Sequence, residues 1–373
     1  MTDRYLFVTE PVEGGAVPSR DTRPRAADVR RPSRKGRPAA AGAARSAPRP
    51  PADGLVIGFV PPAAQVAGVL LSVAGVLGVA AAFPTYLVVG GRHLSQVTGV
   101  GSLLVALVAP LLHLAVGIPL ARAVVPKFGL AYAAVAATLD AGQLLIELYR
   151  GSATTSRPGV EVIAGERVLT STVSIGPGWI LGMLSLCVVL GAGVCAVSAW
   201  GRTVMDDGGP LDPVRSGLAG GAVLLGVATV LSIALPAADV PDQIVTDPST
   251  GMQTVVASEG PQALLERPGL ALLGGLLLAG AIVLCSVVAP SLRPRLATVG
   301  AFLAISGAVL SAGLTGLRDA LVSPALEWTL PGAALLVAGV GYAGLTALSW
   351  RWRRTVPEPP QPRSASRRKG AGS

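Results

Sequence analysis

Residues 128–148 read FGLAYAAVAATLDAGQLLIEL, and the architecture of the whole chain turns on whether this stretch crosses a bilayer. It has the roughly 20 mostly apolar residues that a hydrocarbon core of about 30 Å demands. Yet Asp140, Gln143 and Glu147 lie inside it or at its edge. If it spans, the chain crosses an even number of times and both ends share one side; if it does not, the ends are on opposite sides. Seven further apolar runs need no such arbitration: Ala63–Val89, Val97–Ala121, Gly178–Trp200, Gly217–Ala237, Gly269–Val288, Leu296–Leu314 and Gly332–Trp350.

The basic residues decide the question. With eight crossings, one side holds the two tails and the loops after the second, fourth and sixth helices, and these segments carry 24 of the 30 Lys and Arg. The three short loops alone carry Arg122, Lys127, Arg202, Arg215, Arg293 and Arg295. The opposite side has Arg92, Arg150, Arg157, Arg167, Arg267 and Arg318, with most of the acids outside the tails. Short cytoplasmic loops are enriched in Lys and Arg. The sequence therefore predicts an all-α polytopic transmembrane bundle of eight helices with both termini cytoplasmic. At 51% hydrophobic and 14% charged residues, the chain lacks the polar surface a soluble fold needs.

A mostly polar stretch of 62 residues precedes the first apolar run, far longer than the n-region of a signal peptide. The first helix is expected to be a retained anchor. The domains read as a basic cytoplasmic tail over 1–62, the bundle over 63–350 and a second basic tail over 351–373. Both tails are expected to be disordered, because Arg, Ala and Pro bury too little apolar surface to offset the entropy of ordering. Cys187, Cys195 and Cys285 sit in apolar runs without Cys-x-x-Cys spacing and read as small packing residues.

Three helices open with Pro-Gly, at Pro177-Gly178, Pro268-Gly269 and Pro331-Gly332, where proline's missing N–H costs nothing. External loops over 150–176 and 238–267 each contain two short β-rich runs around turn residues, Ala164-Gly165 in one and Asp247–Gly251 in the other. This pattern suggests a duplicated helix, hairpin, helix unit relating residues 128–200 to 217–288.

Catalytic signatures are missing from the sequence. There is no phosphate-binding glycine loop ending in Lys and Ser or Thr, no His-Glu-x-x-His and no Gly-x-Ser-x-Gly. The chain has only two histidines, His93 and His113, which excludes most His-based metal and triad schemes. Asp206-Asp207 reads as a solvated turn beside Gly208-Gly209-Pro210. No enzyme activity, cofactor or metal is expected. The pI near 10.2 comes from the tails and the loop bias, so nucleic acid is not an expected partner.

Ionisable groups inside a bilayer are costly and usually face the bundle interior with a partner. The candidate site is therefore His113, Asp140, Gln143 and Glu147, the last three sharing a helix face through spacings of three and four. Helices two and three form an antiparallel hairpin, which puts His113 opposite residue 137 and about 4.5 Å along the axis from Asp140. The four read either as a buried structural pair of His113 and Asp140, with Glu147 at the interface near Arg150, or as a proton or cation relay with Asp140 as carrier, His113 as the titrating partner and Glu147 as the outer mouth.

The Ala, Gly, Val and Arg bias, the basic N-terminal segment and the Pro-Gly helix starts resemble the uncharacterised polytopic membrane proteins of high-GC actinobacteria. The resemblance implies a plasma (inner) membrane location and carries over no functional residue. The expected role is a non-enzymatic scaffold or envelope-assembly component. Its expected partners are membrane lipid and other membrane or envelope proteins, met through the tails and external loops. The alternative is a small transporter or channel using the His113 and Asp140 pair; an enzyme of lipid-linked substrates ranks third.

Overall fold

The structure, a computed structural model, describes residues 55–152, 160–163, 166–169, 173–207, 211–240, 243–246, 253–256, 269–323 and 326–351. Both tails expected to be disordered lie outside the described residues, except for their short membrane-proximal ends. In chain order the elements are β1 (Val56–Ile57), α1 (Pro62–Ala81), β2 (Thr85–Val89), β3 (Arg92–Ser95), α2 (Val100–Ala121), α3 (Pro126–Gly151), β4 (Val160–Ile163), β5 (Glu166–Leu169), β6 (Val173–Ile175), α4 (Pro177–Trp200), β7 (Met205–Asp206), α5 (Asp212–Ile233), β8 (Ala238–Asp239), β9 (Gln243–Thr246), β10 (Gln253–Val256), α6 (Leu270–Val288), α7 (Arg295–Val322), β11 (Glu327–Trp328) and α8 (Leu330–Arg351). Among the described residues, eight helices are long and apolar enough to cross a membrane, so the chain is a multi-pass integral membrane protein.

Consecutive helices alternate in direction, and short antiparallel pairings tie together the connections at each end. At one end β1 pairs with β7. At the other, β2 joins β3 and β6, β8 joins β11, and β4–β5 and β9–β10 form hairpins. The first end holds Arg122, Arg202, Arg293 and Arg295 and is called the basic end; the second is the hairpin end.

Two helices differ in extent from the sequence reading. The run Ala63–Val89 is not one helix: α1 stops at Ala81, and Thr85–Val89 becomes β2. Pro84 lacks the N–H needed to continue the helix, and the β-branched and aromatic residues after it pair with β3 across a turn at Gly90 (φ 58°) and Gly91 (φ 82°). Successive left-handed glycines are what a tight hairpin turn requires. Conversely α7 runs to Val322 rather than Leu314, which brings Arg318 and Asp319 into the helix.

The packing divides the bundle into two similar halves, α1–α4 and α5–α8. In the first half α1 packs on α2 and α4, and α3 packs on α4; in the second α5 packs on α6 and α8, and α7 on α8. Strand pairing repeats as well, with β2 on β6 and β8 on β11. So do polar details: Lys127 Nζ, at the start of α3, donates to the Trp200 carbonyl at the end of α4 at 2.7 Å, and Arg295 Nη1, at the start of α7, donates to the Trp350 carbonyl at the end of α8 at 3.4 Å. These correspondences recur every four helices; the helix, hairpin, helix duplication expected over 128–200 and 217–288 relates α3–α4 to α5–α6, pairs whose connections carry the β4–β5 and β9–β10 hairpins. Between the halves α3 packs on α6 and α7, and α7 on α2.

Asp207 also departs from expectation. Its Oδ2 accepts the Leu296 N–H at 2.8 Å, next to the Arg295 guanidinium 3.8 Å away. It caps the positive N-terminus of α7 instead of lying in a solvated turn.

Candidate functional site

The central helices α3 and α7 are the most enclosed of the eight, and they start side by side at the basic end. A Cβ on Gly300 would overlap the Phe128 carbonyl, so glycine is what lets the α7 backbone reach α3 there. The two helices run in the same direction with equal rise, so residues whose numbers differ by 172, as 300 and 128 do, lie at one depth. On that scale Asp140 falls within one residue of Ser311, Gln143 is level with Thr315, and Glu147 is level with Asp319. Polar side chains therefore recur on α3 and α7 at matched depths.

At the hairpin end these groups are paired. Glu147, only 8% exposed, accepts the Tyr86 hydroxyl on Oε2, and on Oε1 both Gln143 Nε2 at 3.1 Å and Arg150 Nη1 at 2.7 Å. Trp179 in the first turn of α4 donates through Nε1 to the Glu147 backbone carbonyl at 3.2 Å. On α7, Arg318 donates to Asp319 Oδ1 through Nε at 2.9 Å and Nη2 at 2.6 Å. Arg150 lies within electrostatic reach of Asp319, which links the two helices. Burial, reinforced by the Glu147 carboxylate, pushes the Tyr86 phenol well above its ordinary range, so Tyr86 stays an O–H donor. Two acids and two arginines thus form a charge-balanced cap.

Deeper in the membrane the pairing stops. Asp140 Oδ2 is buried and, among the described residues, has no hydrogen-bond partner; the Ser311 hydroxyl, one residue off its level on α7, is in the same condition. Buried polar atoms in proteins are nearly always satisfied. The exceptions are costly, because a desolvated carboxylate has neither water nor a donor.

The four residues singled out in the sequence are therefore treated differently. Gln143 and Glu147 are hydrogen-bonded to one another and belong to the cap. Asp140, one to two turns below it, has no hydrogen-bond partner for Oδ2 among the described residues and lies within electrostatic reach of Tyr132. His113 meets the edge of the Tyr132 ring, with centroids 5.9 Å apart and planes at 78°. Leu112, the residue before it, packs against Gly307 on α7, which is level with residue 135 of α3, and no hydrogen bond joins His113 to Asp140. The sequence reading missed Tyr86, Trp179, Ser311, Arg318 and Asp319. Arg318-Asp319 was the available signal, since Ser311, Thr315 and Arg318 follow helical spacing beyond the apolar core of that run. Among the described residues, no group of three or more His, Cys, Asp or Glu side chains could hold a metal ion.

Fold and site together define an eight-helix integral membrane protein built from two four-helix halves, with a carboxylate lacking a hydrogen-bond partner on α3, a helix through which the halves meet. Neither family models, nor curated proteins, nor solved structures match the chain.

Proposed function

We propose that this protein is a small transporter, not an enzyme, in which Asp140, on a helix through which the two repeated halves meet, carries a proton or monovalent cation. The observation that supports it is the buried, unpartnered Oδ2 of Asp140. An intramembrane carboxylate without a partner destabilises the bundle, and such groups are characteristic of ion and proton pathways. Parallel repeats whose interface carries the polar groups are a common transporter plan, with binding sites near the bilayer midplane. The α7 residues level with the polar face of α3 supply the second polar helix that such a site normally has. Glu147, Arg150, Arg318 and Asp319 then act as a seal between Asp140 and the hairpin side. The basic residues at the opposite end argue that this end, with both termini, faces the cytoplasm, and that the membrane is the plasma membrane.

The scaffold or envelope-assembly reading draws on a different observation, the concentration of β-structure at the hairpin end, where β2, β3 and β6 bury Tyr86, Leu87, Val89, Leu94 and Val173 in a core of their own. A separate core of this kind holds a surface in fixed shape for a partner.

Purified protein in proteoliposomes separates the readings. The transporter reading expects dissipation of an imposed pH, Na⁺ or K⁺ gradient by wild type and loss of that flux in Asp140→Asn, with insertion unchanged. Wild type that moves none of these ions contradicts it.

A further inference from the structure

On its lipid-facing side the bundle has a groove of about 370 Å³ between α1 and the end of α2. Its wall on α1 is formed by Val69, Val73, Val76 and Leu77, whose spacing of four, three and one keeps them on one helix face over about 12 Å of axis. Ile118 forms the facing wall, and Arg122 closes the groove at the basic end. The groove exists because the two helices touch along a line of small residues beside it. A Cβ on Gly68 would overlap the Ala121 backbone, and one on Gly117 would sit 2.7 Å from the Ser72 nitrogen.

The lining is apolar apart from Ser72, whose hydroxyl donates to the Gly68 carbonyl at 2.9 Å, and Arg122 at one end. Val69, Val73 and Val76 are exposed, so they face hydrocarbon. Arg122 is exposed too and lies at the C-cap of α2, where its backbone N–H donates to the Ile118 carbonyl at 3.2 Å; its guanidinium makes no hydrogen bond or ion pair with any described residue. Lys127, Arg202 and Arg293 lie at the same end of the bundle, together with Asp206 and with Asp207, which sits beside Arg295. An apolar slot running into the membrane, capped at the interface by an unpaired guanidinium, has the chemistry of one ligand class: an acyl chain attached to a phosphate.

We propose that this groove is a binding site for an anionic phospholipid, with one acyl chain along α1 and the headgroup phosphate on Arg122. A guanidinium presents a planar fork of donors that matches a phosphate with two parallel hydrogen bonds. Basic pockets beside transmembrane helices at the cytoplasmic face bind anionic headgroups in this manner. The site is independent of Asp140 and of any flux.

The test uses the full-length protein in detergent, with bound lipid counted by native mass spectrometry during titration with phosphatidylglycerol or phosphatidylcholine. Wild type is expected to retain one phosphatidylglycerol in preference to phosphatidylcholine. Arg122→Gln removes charge-assisted bonds and should weaken retention about tenfold. Val73→Trp fills the groove from an exposed position and should weaken retention of both lipids. Arg202→Gln at the same end, whose guanidinium donates to the Ser198 carbonyl, should change neither. Retention by Arg122→Gln and Val73→Trp equal to wild type would overturn the site. So would an equal loss in Arg202→Gln, because the attraction would then be the general positive charge of that end.

Discussion

Replacing Glu147 with Leu deletes the common acceptor of Tyr86, Gln143 and Arg150, and the cost can be worked from their burial. Removing one partner of a buried ion pair costs about 3–5 kcal/mol, chiefly because the other charge stays behind uncompensated. The Arg150 side chain keeps 25% of its surface exposed, so water recovers part of that loss and the low end, about 3 kcal/mol, applies. Glu147→Gln keeps shape and an acceptor oxygen for Tyr86 but removes the charge, and should cost about 1–1.5 kcal/mol. At about 2 °C per kcal/mol for a chain of this size, the midpoints should fall by roughly 6 °C and 2–3 °C. The assay is thermal loss of the monodisperse elution peak in detergent, with protein amounts matched. A Glu147→Leu midpoint equal to wild type would refute the reasoning, since the cap would then be water-filled and its bonds without net value.

Three further outcomes follow from the packing and topology. Tyr86→Phe deletes the donor to Glu147 and should cost about 1–2 kcal/mol; combined with Glu147→Leu the two losses should fall short of additive, as a double-mutant cycle for contacting groups requires. Gly300→Leu drives a side chain into the Phe128 backbone and should separate α7 from α3, seen as aggregation on size exclusion, whereas Gly344→Leu, which meets nothing within 4 Å, should elute normally. Cysteines placed at Ser152 and Ser249 should react with an impermeant thiol reagent on intact cells and one at Ser366 should not; labelling at Ser366 contradicts the assignment of the basic end to the cytoplasm.

The helices were legible because lipid imposes one rule, a long apolar run, that needs no tertiary information. Residues 128–148 spanned despite Asp140, as the loop charges required. Errors arose where the same apolar composition serves a second structure. Thr85–Val89 is as hydrophobic as the helix before it, and only Pro84 and Gly90-Gly91 mark it as strand. Arg318-Asp319 ended the seventh run on hydropathy, although helical spacing continues to Val322. The four-helix repeat was hidden because its evidence is tertiary: Lys127 and Arg295 reach carbonyls 73 and 55 residues away, and no local pattern announces such bonds. Asp140 could be named from its cost in lipid. That it would have no hydrogen-bond partner could not, because the sequence offered His113 at nearly its depth, whereas the structure sets that ring against Tyr132.

The central claim is that Asp140 is kept for function at the expense of stability, and one side-by-side measurement tests it: thermal midpoint and gradient-driven flux for wild type, Asp140→Asn and Asp140→Leu. Replacing an unpaired buried polar group with an apolar one of similar shape is neutral or stabilising. Asp140→Leu should therefore match or exceed the wild-type midpoint while flux is lost, and Asp140→Asn should stay folded and equally inactive. A lowered midpoint in Asp140→Leu together with normal flux in Asp140→Asn would mean that the carboxylate holds the bundle together and carries nothing.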